Sequence, residues 1–140
     1  MSEGLEGVVA ASTRLSQVDG EAGRLIIAGY AVDDLAPAAT FEQVAYLLLN
    51  GRLPDPDEST TFAHDLAARR ELPHAAIALL REAAAAKTKT MDALRMATPV
   101  LSLGSRDDPV EDAMTAIAAF PTIVGTYWRI RRGESPAPVR

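Results

Sequence analysis

The chain has 140 residues, no cysteine and a formal net charge of −5. Because cysteine is absent, the sequence excludes disulfide bonds, thiol catalysis and cysteine-ligated metals. The mild acidity argues against nucleic acid or an anionic membrane as a main partner. Hydrophobic residues make up 48% of the sequence and aromatic residues only 5%. An alanine-rich composition of this kind favours closely packed helices over a sheet core.

The length is that of a single domain, which we predict to span residues 1–140. The N-terminus, MSEGLEG, lacks the charged and then apolar pattern of a signal peptide. No apolar run reaches the ~20 residues that a membrane-spanning helix needs. We therefore expect a cytoplasmic protein that does not enter a membrane.

Residues 8–30 are the only part of the sequence that is typical of β structure. Two apolar runs, VVAASTRLS and RLIIAGY, flank a loop over residues 17–23. The Asp19-Gly20 pair in that loop is a strong turn signal, so we predict a β-hairpin over 8–30. The following Asp33-Asp34-Leu35-Ala36-Pro37 predicts one helical turn that the proline ends.

Start and stop signals predict four helices at residues 41–50, 56–71, 73–86 and 91–103. Thr40 with Gln43, and Asp55 with Glu58, are typical capping boxes, and Gly51 is placed to end the first helix. Thr90 is the predicted N-cap of the fourth helix, which Pro99 should make irregular. Helical spacing predicts that the buried residues are Phe41, Val44, Ala45, Leu47, Leu48, Phe62, Ala63, Leu66, Ala76, Ile77, Leu80 and Ala83.

A long helix over residues 109–132 is the strongest prediction. Asp108 is a good N-cap, Pro109 suits the first position, Glu111 can close a capping box, and arginines occupy the last turn before Gly133. An interior proline, Pro121, costs about 3 kcal/mol in a helix and predicts a kink. Apolar residues recur at helical spacing and predict a packing axis: Met114, Ile117, Pro121, Val124 and Trp128. The predicted fold is mainly α with an N-terminal hairpin.

No residue pattern points to a catalytic centre. His64 and His74 are isolated and match no metal-ligand spacing, so we predict ordinary surface histidines. Most carboxylates lie at helix starts, where capping explains them more simply than a metal or acid–base role. The arginines at 129–132 favour a solvated helix end over a phosphate site. We identify no catalytic, cofactor-binding or metal-binding residue.

Several motifs occur in order along nearly the whole chain. They are GLEGVV (4–9), VDGE and GRL (18–25), GY (29–30), DLA (34–36), FEQVAYLLLNGRLP (41–54), MDALR (91–95), PTIV (121–124) and YWRIRRG (127–133). Their order and spacing resemble the N-terminal part of the citrate synthases, including the 2-methylcitrate synthases. The resemblance implies a citrate synthase-like large-domain fold, built here of the N-terminal helices and the hairpin.

That family condenses oxaloacetate with an acyl-CoA, usually acetyl-CoA. An aspartate removes a proton next to a carbonyl, and histidines polarise carbonyls and supply protons. The family's catalytic residues lie beyond the point where this sequence ends, so the resemblance transfers no catalytic residue to it. The sequence also departs from the family, with Lys89-Thr90 in place of the usual His-Pro and Ile27-Ala28 in place of Tyr-Arg.

The resemblance also implies that the helices at 91–103 and 109–132 pack against the same helices of a second subunit. We therefore expect a homo-oligomer. The first hypothesis is one part of a split enzyme, inactive without a C-terminal partner chain, with acetyl-CoA and oxaloacetate bound only by the complete enzyme. The alternative is a non-catalytic dimerisation or regulatory module, or a remnant, that associates with itself or with a full-length paralogue. An independent small-molecule binding domain has little support.

Overall fold

The computed structural model describes residues 11–101 and 107–136. The predictions that concern residues 4–10, 102–106 and 137–140 lie outside the described residues. Within the described ranges the chain forms three short strands, six α-helices and one 3₁₀ helix, which confirms the mainly α fold with an N-terminal hairpin. The elements are β1 Ser16–Asp19, β2 Arg24–Ile27, β3 Tyr30–Ala31, α1 Val32–Ala38, α2 Phe41–Asn50, α3 Pro56–Ala68, α4 His74–Ala85, α5 Thr90–Ala97, the 3₁₀ helix Thr98–Leu101 and α6 Pro109–Arg131.

The chain divides into two compact units, Met1–Ser59 and Thr60–Arg140, with the boundary inside α3. The first unit contains the sheet, α1 and α2. The second contains α4, α5 and α6, which pack against one another. One module over residues 1–140 stays a prediction.

The strands form an antiparallel sheet in the order β1-β2-β3. Val18 pairs with Leu25 across the first two strands, which confirms the predicted hairpin. The first strand begins at Ser16, later than predicted, because the Leu15 N–H is taken by the Thr13 hydroxyl at 3.1 Å and such local bonds compete with a strand ladder. The two-residue strand β3 is too short to give a sequence signal.

A two-residue turn, Ala28-Gly29, joins β2 to β3. Both residues have positive φ, 45° and 92°, as the mirror-image turns of tight hairpins require. Glycine adopts this conformation without strain, whereas Ala28 carries a Cβ there. The turn places Tyr30 opposite Ile27 and leads directly into α1.

α1 continues beyond the point where it was predicted to end. Pro37 lies inside the helix, and the Ala39 N–H donates to the Leu35 carbonyl at 2.9 Å. A proline removes only its own N–H from a helix, so the final turn can still close around it.

The helix starts of α2 and α3 agree with the predicted capping boxes. The Thr40 hydroxyl accepts from the Gln43 N–H at 3.2 Å, and the Gln43 side chain accepts from the Thr40 N–H at 2.9 Å. Asp55 and Glu58 make the same reciprocal pair at 2.8 and 3.0 Å. Gly51 ends α2 with a φ of 76°, the left-handed conformation expected of a glycine at this position.

The predicted buried face of α2 is partly wrong. Ala45 and Leu47 are buried, but Leu48 is exposed and Phe41 is 64% exposed. Phe41 is the first residue of α2, where the surrounding chain covers a side chain least. The inward residues predicted for the next two helices are closer to the structure, since Phe62, Leu66, Ala76, Leu80 and Ala83 are all buried.

α3 ends at Ala68, three residues earlier than predicted, because the N–H groups of Arg69 and Arg70 bond three residues back in a tightened last turn. α4 ends at Ala85, and Lys87 follows with a φ of 54°. The N–H groups of Lys87 and Thr88 bond the carbonyls of Ala84 and Ala83. This is a Schellman ending with lysine where glycine is usual.

The N-cap of α5 is Lys89, and Thr90 is the first helical residue, so the predicted Thr90 cap is wrong. The Thr88 N–H still belongs to the ending of α4, so Lys89 is the one residue between that ending and the first residue of α5. α5 gives way to the 3₁₀ helix at Thr98–Leu101. This is the irregularity predicted from Pro99, which lacks the N–H needed to continue an α-helix.

The core of the second unit lies between α4, α5 and α6. Leu80, Ala93, Ala97 and Ile123 are all fully buried there. Small alanines on α5 let the three helices approach closely. The buried Tyr127 contributes its ring to this core and donates its hydroxyl to the Thr88 carbonyl at the end of α4.

Candidate assembly interface

α6 begins at the predicted N-cap and runs without interruption through Pro121. The Asp108 carboxylate accepts from the N–H groups of Val110 and Glu111 at 2.9 and 3.2 Å. The Glu111 carboxylate, which was predicted to close a capping box, binds Arg69 at 2.7 Å. A bend at Pro121 stays a prediction.

The side of α6 that faces the core differs from the predicted stripe. The buried apolar residues are Met114, Ala118, Ala119, Ile123 and Tyr127. Of the predicted stripe, only Met114 is buried and Ile117 is half-buried. Because α6 is apolar on both sides, periodicity alone could not decide which side faces inward.

The opposite side of α6 carries a second apolar row, which we call the outer stripe: Val110, Ile117, Pro121, Val124 and Trp128. Val110 is 49% exposed, Val124 37% and Trp128 55%. These residues recur at helical spacing and therefore lie along one side of the helix. An exposed row of this kind, ending in a large aromatic residue, is typical of a surface that another chain covers.

α6 also has charged ends of opposite sign. Glu111 and Asp112 lie in its first turn, and Arg129 and Arg131 lie in its last. Arg129 and Arg132 share the Glu134 carboxylate, each at 3.2 Å. This arrangement fits the predicted solvated helix end, and it leaves the last turn with more positive than negative groups.

The two histidines lie on different helices. His64 and His74 are both exposed, on α3 and at the start of α4. Within residues 11–101 and 107–136 there is no group of three histidines or carboxylates that could hold a metal ion. None of the helices in those ranges combines the length and the apolar character needed to cross a bilayer.

A polar cluster that sequence reasoning did not identify lies between α2 and α3. Arg52 binds both carboxylate oxygens of Glu58, one of them at 2.7 Å. The same guanidinium donates to the Tyr46 hydroxyl at 3.3 Å and lies 5.6 Å from the centre of its ring. The Arg52 and Glu58 side chains sit at the helix ends that the caps define, so the cluster closes the connection between α2 and α3.

This cluster predicts an acid-dependent loss of stability. Hydrogen bonds from Arg52 and from the Asp55 N–H lower the pKa of Glu58 to about 2. A lowered pKa stabilises the folded state above the ordinary pKa of 4.5, and that stabilisation is lost as the pH falls towards 2. We expect the melting temperature of the unmodified chain to fall more steeply over this range than that of Glu58→Gln. Arg52→Gln should flatten the dependence in the same way. Equal slopes in all three proteins would contradict the prediction.

A cleft of about 210 Å³ lies within the first unit. Its lining includes the apolar residues Leu35, Ala38 and Leu53 and the polar residues Tyr30, Asp34 and Gln43. It could not be predicted from the sequence because the lining residues come from four separate segments. With few polar groups to orient a ligand, it adds little to the hypothesis of an independent small-molecule domain.

Comparison with known proteins gives a consistent result. A family model described as citrate synthase, C-terminal domain, matches residues 4–140. A citrate synthase of Haloferax volcanii is 36% identical over 96% of this chain, and a 2-methylcitrate synthase of Mycobacterium tuberculosis is 36% identical over 97%. The crystal structure of a citrate synthase from Pyrobaculum aerophilum covers 97% of the chain with a TM-score of 0.85 and 32% identity.

The chain spans only part of these proteins, 38% of the Haloferax and Pyrobaculum chains and 36% of the Mycobacterium chain. The matching family model is named after a C-terminal domain, whereas the motif order predicted the N-terminal part of the family. The position of the chain within its relatives therefore stays a prediction.

Proposed function

Because this chain belongs to the citrate synthase family, we propose that it forms the helical scaffold of an enzyme that condenses oxaloacetate with an acyl-CoA. The observation that carries the proposal is the extent of the match. The similarity covers 96% of this chain but only 38% of the Haloferax citrate synthase. The scaffold is then one part of the catalytic unit, and the remaining family sequence supplies the rest.

The chemistry of the reaction supports this division. Removing a proton next to a thioester carbonyl requires a positioned base and groups that stabilise the developing negative charge. His64 and His74 lie exposed on the surface of their helices. Neither has the partner that would orient it as an acid or a base among the described residues. We propose that the 140 residues alone are inactive and that a C-terminal citrate synthase-like segment carries the acid–base groups.

Complementation tests the proposal. The purified 140-residue chain and a polypeptide with the remaining family sequence are assayed separately and mixed, with release of free CoA from acetyl-CoA and oxaloacetate as the readout. We expect no release from either part and measurable release from the mixture. Turnover by the 140-residue chain alone, or no gain on mixing, would overturn the split arrangement. Propionyl-CoA in a parallel assay distinguishes a 2-methylcitrate synthase from a citrate synthase.

The alternative function is a non-catalytic assembly module, and the outer stripe of α6 favours it. An apolar row with Trp128 at 55% exposure is costly to leave in water. The resemblance to dimeric enzymes points to a second copy, or to a full-length paralogue, as the chain that covers it. Native mass spectrometry distinguishes a second copy from a full-length paralogue as the covering chain, when isotopically labelled chain is mixed with a full-length citrate synthase. Mixed dimers without any gain in activity would favour the assembly module.

A further inference from the structure

We propose that the cleft within the first unit binds a small organic cation, namely a primary ammonium group carried on a compact apolar body. The volume of the cleft is about 210 Å³, which lies below the range of about 300–1,000 Å³ typical of sites for drug-sized ligands. Its ligand is therefore a small molecule. The proposal goes beyond the condensation proposed above, because oxaloacetate and an acyl-CoA are both anions.

The charge of the cleft favours a cation. Among the described residues that line it, Asp34 carries a negative charge, and none is an arginine, a lysine or a histidine. Arg52 directly precedes the lining residue Leu53, but its guanidinium binds both carboxylate oxygens of Glu58. The lining also includes Tyr30, and aromatic rings attract ammonium groups. A carboxylate or a phosphate would find no opposite charge in this lining.

The walls of the cleft favour a compact apolar body beside that charge. Asp34 and Ala38 lie four residues apart on α1 and therefore share one side of the helix. Leu35 on α1, and Leu53 and Pro54 in the connection after α2, supply the apolar walls. Because polar groups are few, the cleft selects its ligand by charge and apolar volume and not by a pattern of hydrogen bonds. Such a site does not make the chain an independent small-molecule domain.

The Arg52–Glu58 pair holds one wall of the cleft in place. Leu53 and Pro54 lie between Arg52 and Asp55 in the sequence. The Glu58 carboxylate accepts from the Arg52 guanidinium at 2.7 Å and from the Asp55 N–H at 3.0 Å, so it ties both ends of this short segment. The Arg52 guanidinium also donates to the Leu53 carbonyl at 3.3 Å. A wall that is fixed before the ligand arrives loses less conformational freedom on binding.

Three probes that share a benzene ring and differ in charge test the proposal: benzylamine, benzyl alcohol and benzoate. Each is titrated into the ¹⁵N-labelled 140-residue chain at neutral pH and low salt, and the amide NMR signals of Ala38, Ala39 and Gln43 report on the cleft. We expect benzylamine to shift these signals with a dissociation constant of about 1 mM, and benzyl alcohol and benzoate to bind several-fold more weakly. Benzoate binding as tightly as benzylamine would overturn the proposal, and so would unchanged signals at benzylamine concentrations far above that value.

Two neighbouring carboxylates provide a matched pair of variants. Asp33 and Asp34 are both exposed in the first turn of α1, but Asp33 does not line the cleft. Asp34→Asn should weaken benzylamine binding about fivefold, the upper end of what a solvent-accessible ion pair contributes, and leave benzyl alcohol binding unchanged. Asp33→Asn removes the same charge from the same turn and should have a clearly smaller effect. Equal weakening by both variants would indicate general attraction to an acidic surface and contradict a site in the cleft.

A third variant, Ala38→Leu, fills the cleft without changing its charge. It should abolish the binding of benzylamine and benzyl alcohol together, and leucine is a good helix former, so α1 should be retained. Unchanged benzylamine binding by this variant would place the ligand elsewhere and overturn the proposal. None of these measurements uses the release of CoA. The outcome for the cleft and the outcome of the complementation assay are therefore independent of each other.

Discussion

Replacing Leu80 by alanine should lower the free energy of unfolding by about 3 kcal/mol, within the range of about 2–5 kcal/mol for truncating a buried leucine. Leu80 has no exposed surface and lies in the core between α4, α5 and α6. The fully buried α5 residues in this core are Ala93 and Ala97, whose side chains are too short to reach into the cavity. Urea denaturation followed by circular dichroism measures the change.

The adjacent residue provides the control for this prediction. Leu79→Ala makes the same truncation in the same helix, but Leu79 is only half-buried, so its loss should be clearly smaller. If Leu80→Ala is too unstable to purify, Leu80→Met keeps the volume and should cost less than about 1.5 kcal/mol. Equal losses for Leu79→Ala and Leu80→Ala would mean that the α4–α6 core is not packed as the structure has it.

Local signals predicted the helix starts well. The capping boxes at Thr40 and Asp55 depend on hydrogen bonds between residues three apart, and such bonds form wherever the local sequence permits them. Asp108 and Gly51 are of the same kind. The exception is Thr90, where Lys89 takes the cap position because the Schellman ending of α4 fixes the chain up to Thr88. The end of α4 thus determines where α5 begins, and the residues around Thr90 alone do not predict it.

Which side of a helix faces the core was less predictable from the sequence. On α6 the predicted stripe was Met114, Ile117, Pro121, Val124 and Trp128, whereas the core of the second unit takes Ala119, Ile123 and Tyr127 from this helix. α6 therefore buries some of its large apolar residues and leaves others, such as Val124 and Trp128, exposed. On α2, Phe41 and Leu48 are likewise apolar but exposed. Sequence periodicity measures how apolar each side of a helix is, and it cannot choose between the two sides of α6 because both are apolar.

The motifs that carry the family resemblance have structural contacts in the described residues, and this is why they predicted the family without predicting a catalytic residue. The family resemblance depended on motifs such as FEQVAYLLLNGRLP, which contains Gln43 of the Thr40 capping box and Arg52, the partner of Glu58. In the structure these residues hold a helix start and the connection between α2 and α3. Sequence reasoning recovered the family because these structural constraints are local and specific. It missed the Arg52 cluster because an arginine six residues from a glutamate is not a helical pairing and gives no periodic signal.

Trp128→Ser should weaken self-association by about 2 kcal/mol, or about 30-fold in the dissociation constant, which is the size of effect typical of a buried aromatic at an interface centre or anchor point. Trp128 is the only tryptophan in the chain and is 55% exposed in the single copy. If the outer stripe is covered by a second copy, its fluorescence should shift to shorter wavelength as the protein concentration rises. Sedimentation of both proteins over the same concentrations measures the affinity.

Phe41→Ser is the matched control, because Phe41 is an aromatic residue of similar exposure, 64%, on a different helix, α2. It should leave the dissociation constant unchanged. If the association were non-specific and hydrophobic, both variants would weaken it equally, since both replace an exposed aromatic residue by serine. Weakening by Trp128→Ser alone would therefore identify the outer stripe as the contact, whereas weakening by Phe41→Ser alone would move the interface to α2 and contradict a role for the outer stripe.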